Sequence, residues 1–355
     1  FGALGGAENI NMRASSYTPG GKATVSYTNR NYYLRGMFTY STGLNEKGWV
    51  FTASAGGRYS HEGNIDGTFY NNLALAFSAE KQWQGGKHSL SMTAFVSPVQ
   101  RGQQGNSYRE VYELTDNYLY NPNWGYQNGK KRNAKVVTAF DPTAVISHIW
   151  KIDDTTTLTT GVGAHYARYG NTALNWYNAP DPRPDYYRNL PSYYMANNQF
   201  SNAAQIAELW RTSYDTRQIN WDRLYDTNYR GEIDEGTYGA GHRSNYMIEE
   251  RHTDQLDYNL AANVEHNMRN NMRIVGGVNL RVNRTNYYSQ VKDLMGGDYW
   301  YDIDKFADRD MASETAAQND LDYYWATGHA RIARVGDKYG YYYRAHLLET
   351  NAWAN

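Results

Sequence analysis

Hydrophobic and polar residues alternate along much of the chain, most clearly on both sides of a short polar run at residues 269–271. Mostly apolar residues occupy every second position from Leu256 to Val264 and again from Met272 to Val282. A period of two on both sides of a tight turn predicts an antiparallel hairpin with one apolar face and one polar face. Each arm is near the ~9–11 residues that a tilted strand needs to cross a bilayer.

The same period recurs along the chain and predicts about ten strands. They lie within residues 22–29, 32–41, 49–59, 72–83, 90–96, 143–152, 158–166, 256–264, 272–282 and 339–351. The connections alternate in length. Short turns are predicted at 45–48, 84–87, 153–155 and 269–271, and long loops at about 98–141, 168–255 and 285–338.

This pattern predicts an all-β fold, an antiparallel transmembrane β-barrel with short periplasmic turns and long extracellular loops. Long loops of this number count against a soluble sandwich. About ten strands close only a narrow barrel, so we expect this chain to form part of a larger one. Within the largest loop, residues 202–211 are predicted to be a short helix capped by Asn202, with Ile206, Leu209 and Trp210 on one face.

Composition narrows the function classes. Mean hydropathy is -0.81 and no run of ~18 apolar residues occurs, which excludes a transmembrane helix but not a barrel, because alternating strands average to polar. A formal net charge of -1 offers no basic field for nucleic acid. With 0 Cys, disulfides, zinc–thiolate sites and thiol nucleophiles are excluded. The 35 Tyr and 10 Trp fit aromatic girdles of a barrel, and alternatively a soluble β protein that binds sugars.

Catalytic and metal-binding patterns are scarce. No Gly-x-Ser-x-Gly occurs, and the carboxylate pairs Asp153–Asp154 and Glu249–Glu250 fit a turn and a solvated loop better than glycoside hydrolysis. A loop dense in Asp could gather calcium through Asp298, Asp302 and Asp304, but its spacing is not that of an EF-hand, and a solvated loop face is the simpler interpretation. We therefore predict no catalytic residues, no cofactor and a protein that is not an enzyme.

Aromatic residues among Asn, Gln, Asp and Arg in the long loops are the best functional signal. Flat rings in such surroundings stack on sugars or grip peptides, and alternatively they pack the loops on one another. The candidate binding residues are Trp124, Tyr126, Trp176, Tyr186, Trp210 and Trp221.

Three short runs resemble TonB-dependent outer-membrane transporters, in particular the nutrient-importer branch that includes starch-utilisation-type receptors. Residues 1–11, FGALGGAENIN, are similar to the closing segment of that family's plug domain, where Gly-Gly-x-x-Asn-Ile-Asn precedes the first barrel strand. Residues 120–133, YNPNWGYQNGKKRN, and 293–304, DLMGGDYWYDID, resemble two of its loops. The resemblance implies a plug inside a 22-stranded barrel, with residues 1–21 ending the plug and 22–355 forming part of the barrel.

The resemblance also implies a function and a location. The protein would sit in the outer membrane of a Gram-negative bacterium and import a scarce or large solute, such as an oligosaccharide, a peptide or a chelate. Loops would capture the solute, and TonB would move the plug. Lumen-facing Arg58, Glu265, Arg273 and Arg281 would guide the solute or, more simply, hold the plug.

The partners implied by the resemblance are the TonB complex, through the plug region, outer-membrane lipid and lipopolysaccharide, and potentially a surface lipoprotein lid. No nucleic acid is expected. Two alternatives stay open: a passive porin or surface-binding barrel, and a soluble carbohydrate-binding β domain.

Overall fold

One antiparallel sheet, here called the wall, dominates the structure. The computed structural model describes residues 10–231, 233, 241–268, 272–311 and 313–355. Numbered in chain order, the wall strands are β1 (Gly20–Tyr27), β2 (Leu34–Ser41), β3 (Trp49–Ser60), β4 (Tyr70–Trp83), β5 (His88–Val96), β6 (Val99–Gly102), β9 (Val136–Phe140), β10 (Thr143–Lys151), β11 (Thr156–Trp176), β12 (Tyr246–Asn267), β13 (Arg273–Asp293) and β16 (Lys338–Ala354). The hydrogen-bonded path runs β1-β2-β3-β4-β5-β10-β11-β12-β13-β16, with β6 and β9 beside it.

Two prolines interrupt what are otherwise continuous wall strands. Pro98 separates β5 from β6, and Pro142 separates β9 from β10, because proline has no N–H to give to the ladder. The register is unchanged across both interruptions: Val96 pairs with Leu75 and Val99 with Asn72, while β9 and β10 meet β11 in one common alignment. If β5 with β6 and β9 with β10 are each counted as one line of strand, the wall has ten lines of strand, as predicted. The loop predicted at about 98–141 is shorter in the structure and covers residues 103–135.

The three longest strands extend well beyond the predicted ends. β11 continues to Trp176, β12 begins at Tyr246 and β13 continues to Asp293, so the other two long loops are 177–245 and 294–337. At the start of β12 the sequence pattern missed the extension because protein covers both faces there. Every residue of 246–250 is buried, and a strand that is buried on both sides loses its alternation.

Connections at one end of the wall are short and those at the other end are mostly long, as predicted. The short end has 42–48, 84–87, 152–155 and 268–272, and the other end has 28–33, 61–69, 103–135, 177–245 and 294–337. The predicted turn residues 269–271 and the sequence run 1–9 lie outside the described residues.

The two faces of the wall invert the usual preference of a soluble sheet. On β12 and β13, Tyr258 and Val278 are 51% and 55% exposed, whereas Asp257 and Asn283 on the opposite face are 9% and 7% exposed. The pairing of β12 with β13 agrees with the predicted alternation. Tyr258 lies opposite an apolar residue of β13, and Asp257 lies opposite Asn283. An exposed apolar face with a sheltered polar face is the side-chain distribution of a membrane barrel wall, so the predicted fold class is confirmed.

The long loops fold into a cap of helices and short strands. Its elements are α1 (Arg109–Thr115), β7 (Trp124–Gln127), β8 (Lys130–Asn133), α2 (Pro191–Ala196), α3 (Phe200–Thr212), α4 (Trp221–Tyr229), β14 (Trp300–Tyr301), α5 (Lys305–Asp310), α6 (Glu314–Ala317), α7 (Leu321–Thr327) and β15 (Ile332–Ala333). Ala14–Ser16, Tyr187–Asn189 and Asp215–Arg217 are single 3₁₀ turns. None of the described helices is both long enough and apolar enough to cross a membrane.

The predicted helix is present as α3, with two corrections. Its N-cap residue is Gln199, and Asn202 lies inside the first turn, where its amide donates to the Gln199 side chain. Trp210 is fully buried and Ile206 packs against the same cluster, but Leu209 is 46% exposed. The apolar stripe of α3 is therefore narrower than the spacing predicted.

The hydrophobic core of the protein lies in the cap. The largest fully buried side chains are Trp210, Trp221 and Tyr299, which belong to loops or loop helices. Three apolar clusters hold the loops to one another and to the extended ends of β11, β12 and β13. The cap thus folds like a soluble protein on top of a wall that does not.

A charge placed on the exposed apolar face should destabilise the wall in lipid. We expect Leu260→Arg to lower the free energy of unfolding by about 2–4 kcal/mol if the side chain sits near the bilayer centre. Urea unfolding of the protein in lipid vesicles measures this loss. Asn263→Arg, three residues along β12 and on the polar face, is the matched control and should cost much less. Equal losses for the two variants would contradict the assignment of faces.

Candidate functional site

A short segment before β1 is held on the polar face of the wall. The Arg13 guanidinium contacts Glu80 at 2.9 Å, and the second Glu80 oxygen accepts from the Ser15 backbone N–H at 3.1 Å. On β3, the Thr52 hydroxyl donates to the Ala14 carbonyl at 3.2 Å. Glu80 is 1% exposed, and a carboxylate so sheltered needs partners of this kind. The Thr93 hydroxyl of β5 donates to the Met12 carbonyl at 3.3 Å, so residues 12–16 are anchored against the polar face of β3, β4 and β5.

The four residues predicted to face the lumen have partners within the wall and its connections. Arg281 contacts Asp257 at 2.7 Å, and Arg273 contacts Glu265 at 2.5 Å. Arg58 lies 5.3 Å from the ring of a tyrosine in the 28–33 connection. Their role toward a plug stays a prediction. The anchor formed by Arg13 and Glu80 was missed, although Glu80 is the one carboxylate on the polar face of β4 and was a signal for it.

Two adjoining cavities lie between the loops and the polar side of the wall. Their volumes are about 530 and 740 Å³, and both are lined by Trp176, Lys305 and Phe306. Arg251 lines the first of them. The register of β11 and β12 is unbroken from Tyr246 onward, so Arg251 shares a face with Asp257 by alternation. We call these two spaces together the loop cavity; it is the candidate binding site.

Lys305 is the central cation of the loop cavity. Its ammonium donates to the Asn175 side-chain oxygen at 2.8 Å and to the Trp176 carbonyl at 3.2 Å. The same nitrogen lies 4.7 Å from the Trp176 ring centre, and the Arg183 guanidinium lies 5.5 Å from that centre. Burial disfavours the charged ammonium and lowers the pKa of Lys305. Two cations therefore engage one indole ring beside the cavity.

The charges around the cavity are unevenly paired. Arg183 binds Asp181 through a bidentate contact, and Arg251 contacts Glu249 at 2.5 Å. Lys135 and Lys305 both line the first cavity. Within the described part of the chain, neither of these lysines has a carboxylate oxygen within 4.0 Å of its ammonium. The lining thus carries more positive charge than its own carboxylates neutralise.

Among the described residues that line the first cavity, Asp185 is the one carboxylate. Its side chain accepts a hydrogen bond from the Ser107 hydroxyl at 2.9 Å, and the residue is 8% exposed. Burial raises the pKa of Asp185, although Arg183 and the Ser107 hydrogen bond oppose that shift.

The predicted aromatic residues divide into two groups. Trp176 and Tyr186 line the loop cavity, and Tyr126 is 45% exposed on the β7–β8 hairpin. Trp124, Trp210 and Trp221 are 3%, 0% and 0% exposed. In this structure these three rings pack the loops together, which was the alternative role for them.

Each buried tryptophan has a definite packing partner. Trp210 donates its indole N–H to the Asn189 carbonyl at 3.0 Å, and the Arg132 guanidinium lies 4.3 Å from the centre of the Trp221 ring. Such rings stiffen the cap and leave no surface for a solute.

The three aspartates considered for a metal each serve a separate structural contact. Asp298 accepts from the His242 backbone N–H at 2.7 Å, and Asp302 accepts from the Gly340 backbone N–H at 2.7 Å. Asp304 caps α5 through two backbone N–H groups. Among the described residues, no group of three or more acidic or histidine side chains is placed to hold a metal ion. A metal at these residues stays an alternative hypothesis, and the prediction made from the sequence is that they bind none.

Asn228 connects the cap to the wall, and no pattern in its local sequence predicted this role. Its amide donates to the Tyr246 and Leu294 carbonyls at 2.8 and 2.9 Å, and its oxygen accepts from the Asn245 and Tyr246 backbone N–H groups at 2.8 and 3.0 Å. Helix α4 is thereby fastened to the ends of β12 and β13, beside the loops that form the cavity.

Comparison with known proteins gives only distant structural neighbours. No family model matches the chain, and no curated sequence is similar enough to match. The siderophore receptor PiuA from Acinetobacter baumannii is 10% identical with a TM-score of 0.45, over 94% of this chain and 39% of PiuA. The RagAB peptide transporter is 9% identical with a TM-score of 0.43, over 90% of this chain and 29% of that one.

A third neighbour is the ferric-catecholate import receptor Fiu from E. coli K12. It is 9% identical with a TM-score of 0.38, over 95% of this chain and 48% of Fiu. This chain therefore spans less than half the length of each of these three proteins.

Asp185→Asn should stabilise the cap near neutral pH. Because the pKa of Asp185 is raised in the folded protein, the protonated carboxyl stabilises the fold. This stabilisation is complete below the unfolded-state pKa of about 3.9, and it is lost as the pH rises through the folded-state pKa. The amide keeps an acceptor for Ser107 without a buried charge. We expect the melting temperature of the variant to exceed that of the wild type at pH 7, with the difference shrinking toward pH 4.

Thermal unfolding at several pH values measures this difference, with Asp154→Asn, in an exposed turn, as the control. A difference that is absent at pH 7, or that grows on acidification, would show that Asp185 carries no burial penalty.

Proposed function

We propose that this chain is part of an outer-membrane transporter that imports a scarce or large solute with energy delivered through TonB. The observation that carries the proposal is the inverted wall: its apolar face is exposed, and its polar face shelters Glu80, Asp257 and Asn283. A sheet of this kind is stable where lipid meets one face and water or protein meets the other.

The loop cavity supplies the binding half of the proposal. It lies on the polar side of the wall, at the end where the connections are long, and its volume suits a solute of several rings or residues. A solute captured there would be on the side of the lumen. An oligosaccharide, a peptide and a chelate are the classes considered, and the transporters named above bind a siderophore, a peptide and a ferric catecholate.

The anchored segment supports the presence of a plug. Residues 12–16 lie against the polar face of β3, β4 and β5, where the end of an inner domain would lie. In this proposal residues 1–21 close the plug, 22–355 form part of the barrel, and further strands beside β1 and β16 complete a 22-stranded wall. TonB would act through the plug, and a surface lipoprotein could cover the cap.

Location and energy coupling can be tested together on the native protein that contains this chain. We expect it in the outer-membrane fraction of a Gram-negative host, soluble only with detergent, because the apolar face needs lipid. Uptake of its solute should stop when TonB is deleted. Recovery from the soluble fraction without detergent would overturn the membrane proposal, and uptake that continues without TonB would indicate a passive porin.

Glu80→Ala should free the anchored segment. Removing one partner of a buried ion pair costs about 3–5 kcal/mol, because Arg13 would keep its charge without a carboxylate. We expect faster proteolysis within residues 10–19 of the membrane-inserted protein, detected by mass spectrometry of the fragments. Glu46→Ala, at an exposed position in the 42–48 turn, is the control. Unchanged proteolysis in Glu80→Ala would mean that other contacts hold the segment.

A further inference from the structure

The Trp176 ring in the loop cavity is not a free stacking platform. Lys305 and Arg183 lie 4.7 and 5.5 Å from its centre, so cations already engage the ring. A neutral sugar that stacks on an indole face occupied by one of these cations would have to displace it.

Lys305 has hydrogen-bonding capacity that the described residues of the protein do not use. An ammonium carries three N–H donors, and two of them reach the Asn175 side chain and the Trp176 carbonyl. Lys305 lines both parts of the loop cavity, and no carboxylate of the described residues lies within 4.0 Å of it. Its charge is half-buried, its nearest partners are neutral oxygens and aromatic rings, and the carboxylates of Glu249 and Asp181 act on it from beyond 4.0 Å.

The other charged groups facing this space do not neutralise it. Arg183 and Arg251 each have their own acidic partner, and burial favours the protonated form of Asp185. In the second part of the cavity Asp308 accepts from the Tyr177 hydroxyl at 2.7 Å, while Lys135 and Arg188 add further cations to the lining. Charge-assisted hydrogen bonds are roughly twice as strong as neutral ones, most of all where water is partly excluded. A carboxylate on a solute would therefore neutralise positive charge in the lining of the cavity, and a neutral group would not.

We propose that the loop cavity selects carboxylate-bearing solutes over neutral solutes of the same shape, with the Lys305 ammonium as the group that binds the carboxylate. This inference rests on the proposed function for its biological meaning, because it narrows the class of solute to be imported. Binding itself does not depend on transport, and the two can be tested separately.

The test compares two acids with their neutral matches on the full protein in detergent, by isothermal titration calorimetry. The pairs are tetragalacturonate with its methyl ester, and tetraglutamate with tetraglutamine. We expect at least one acid to bind about tenfold or more tightly than its match, since a hydrogen bond to a charged group contributes about 1.5–3 kcal/mol. Equal dissociation constants for the acid and its neutral match in both pairs would overturn the inference.

Variants assign the preference to Lys305. Lys305→Gln should bring the ratio of the two dissociation constants close to one, and Lys305→Arg should keep most of the preference because it keeps the charge. Lys151→Gln, at an exposed wall position away from the cavity, should leave it unchanged. A preference that survives in Lys305→Gln would overturn the role of Lys305. Recovery of the preference in Lys305→Arg shows that a loss in Lys305→Gln is not a folding failure.

The outcomes separate this inference from the proposed function. TonB-dependent uptake of a neutral solute, with no preference for acids, would leave the transporter proposal standing and remove this one. A preference for acids in a protein that proves soluble would do the reverse.

Discussion

The structure depends on the lateral hydrogen bonding of the wall. Each inner strand satisfies its backbone groups on its two neighbours, which frees the two side-chain faces to meet opposite surroundings. Because the ladder does not depend on which face is apolar, the wall can expose Tyr258 and shelter Asp257 on adjacent residues. Even Pro98 and Pro142, which cannot donate to the ladder, leave its register unchanged.

The cap follows from the wall in a physical sense. A wall with an exposed apolar face has no hydrophobic core of its own, so the apolar residues of the long loops must find one elsewhere. They do so above the wall, around Trp210 and Trp221, and on the extensions of β11, β12 and β13. Asn228 fastens α4 to those extensions through buried backbone groups. The loop cavity is the space that this packing leaves beside Trp176.

Sequence periodicity predicted the wall well and the cap poorly. The ten lines of strand, the hairpin of β12 and β13, and the short and long ends were all accessible, because period two is a local signal. The start of β12 was not, since residues 246–250 are buried on both faces. The position of helix α3 was predicted correctly, but its N-cap residue is Gln199. Leu209 is exposed, because loop packing decides which face of a short helix is buried.

The sequence by itself determined the alternation of faces, the number of strands and the scarcity of catalytic and metal motifs. Each of these is written in neighbouring residues or in composition. Only the tertiary structure decided that Glu80 holds Arg13, that Lys305 meets Trp176, and that three of six candidate aromatic rings are buried. These contacts join residues far apart in the chain, and their partners depend on how the loops pack on the wall.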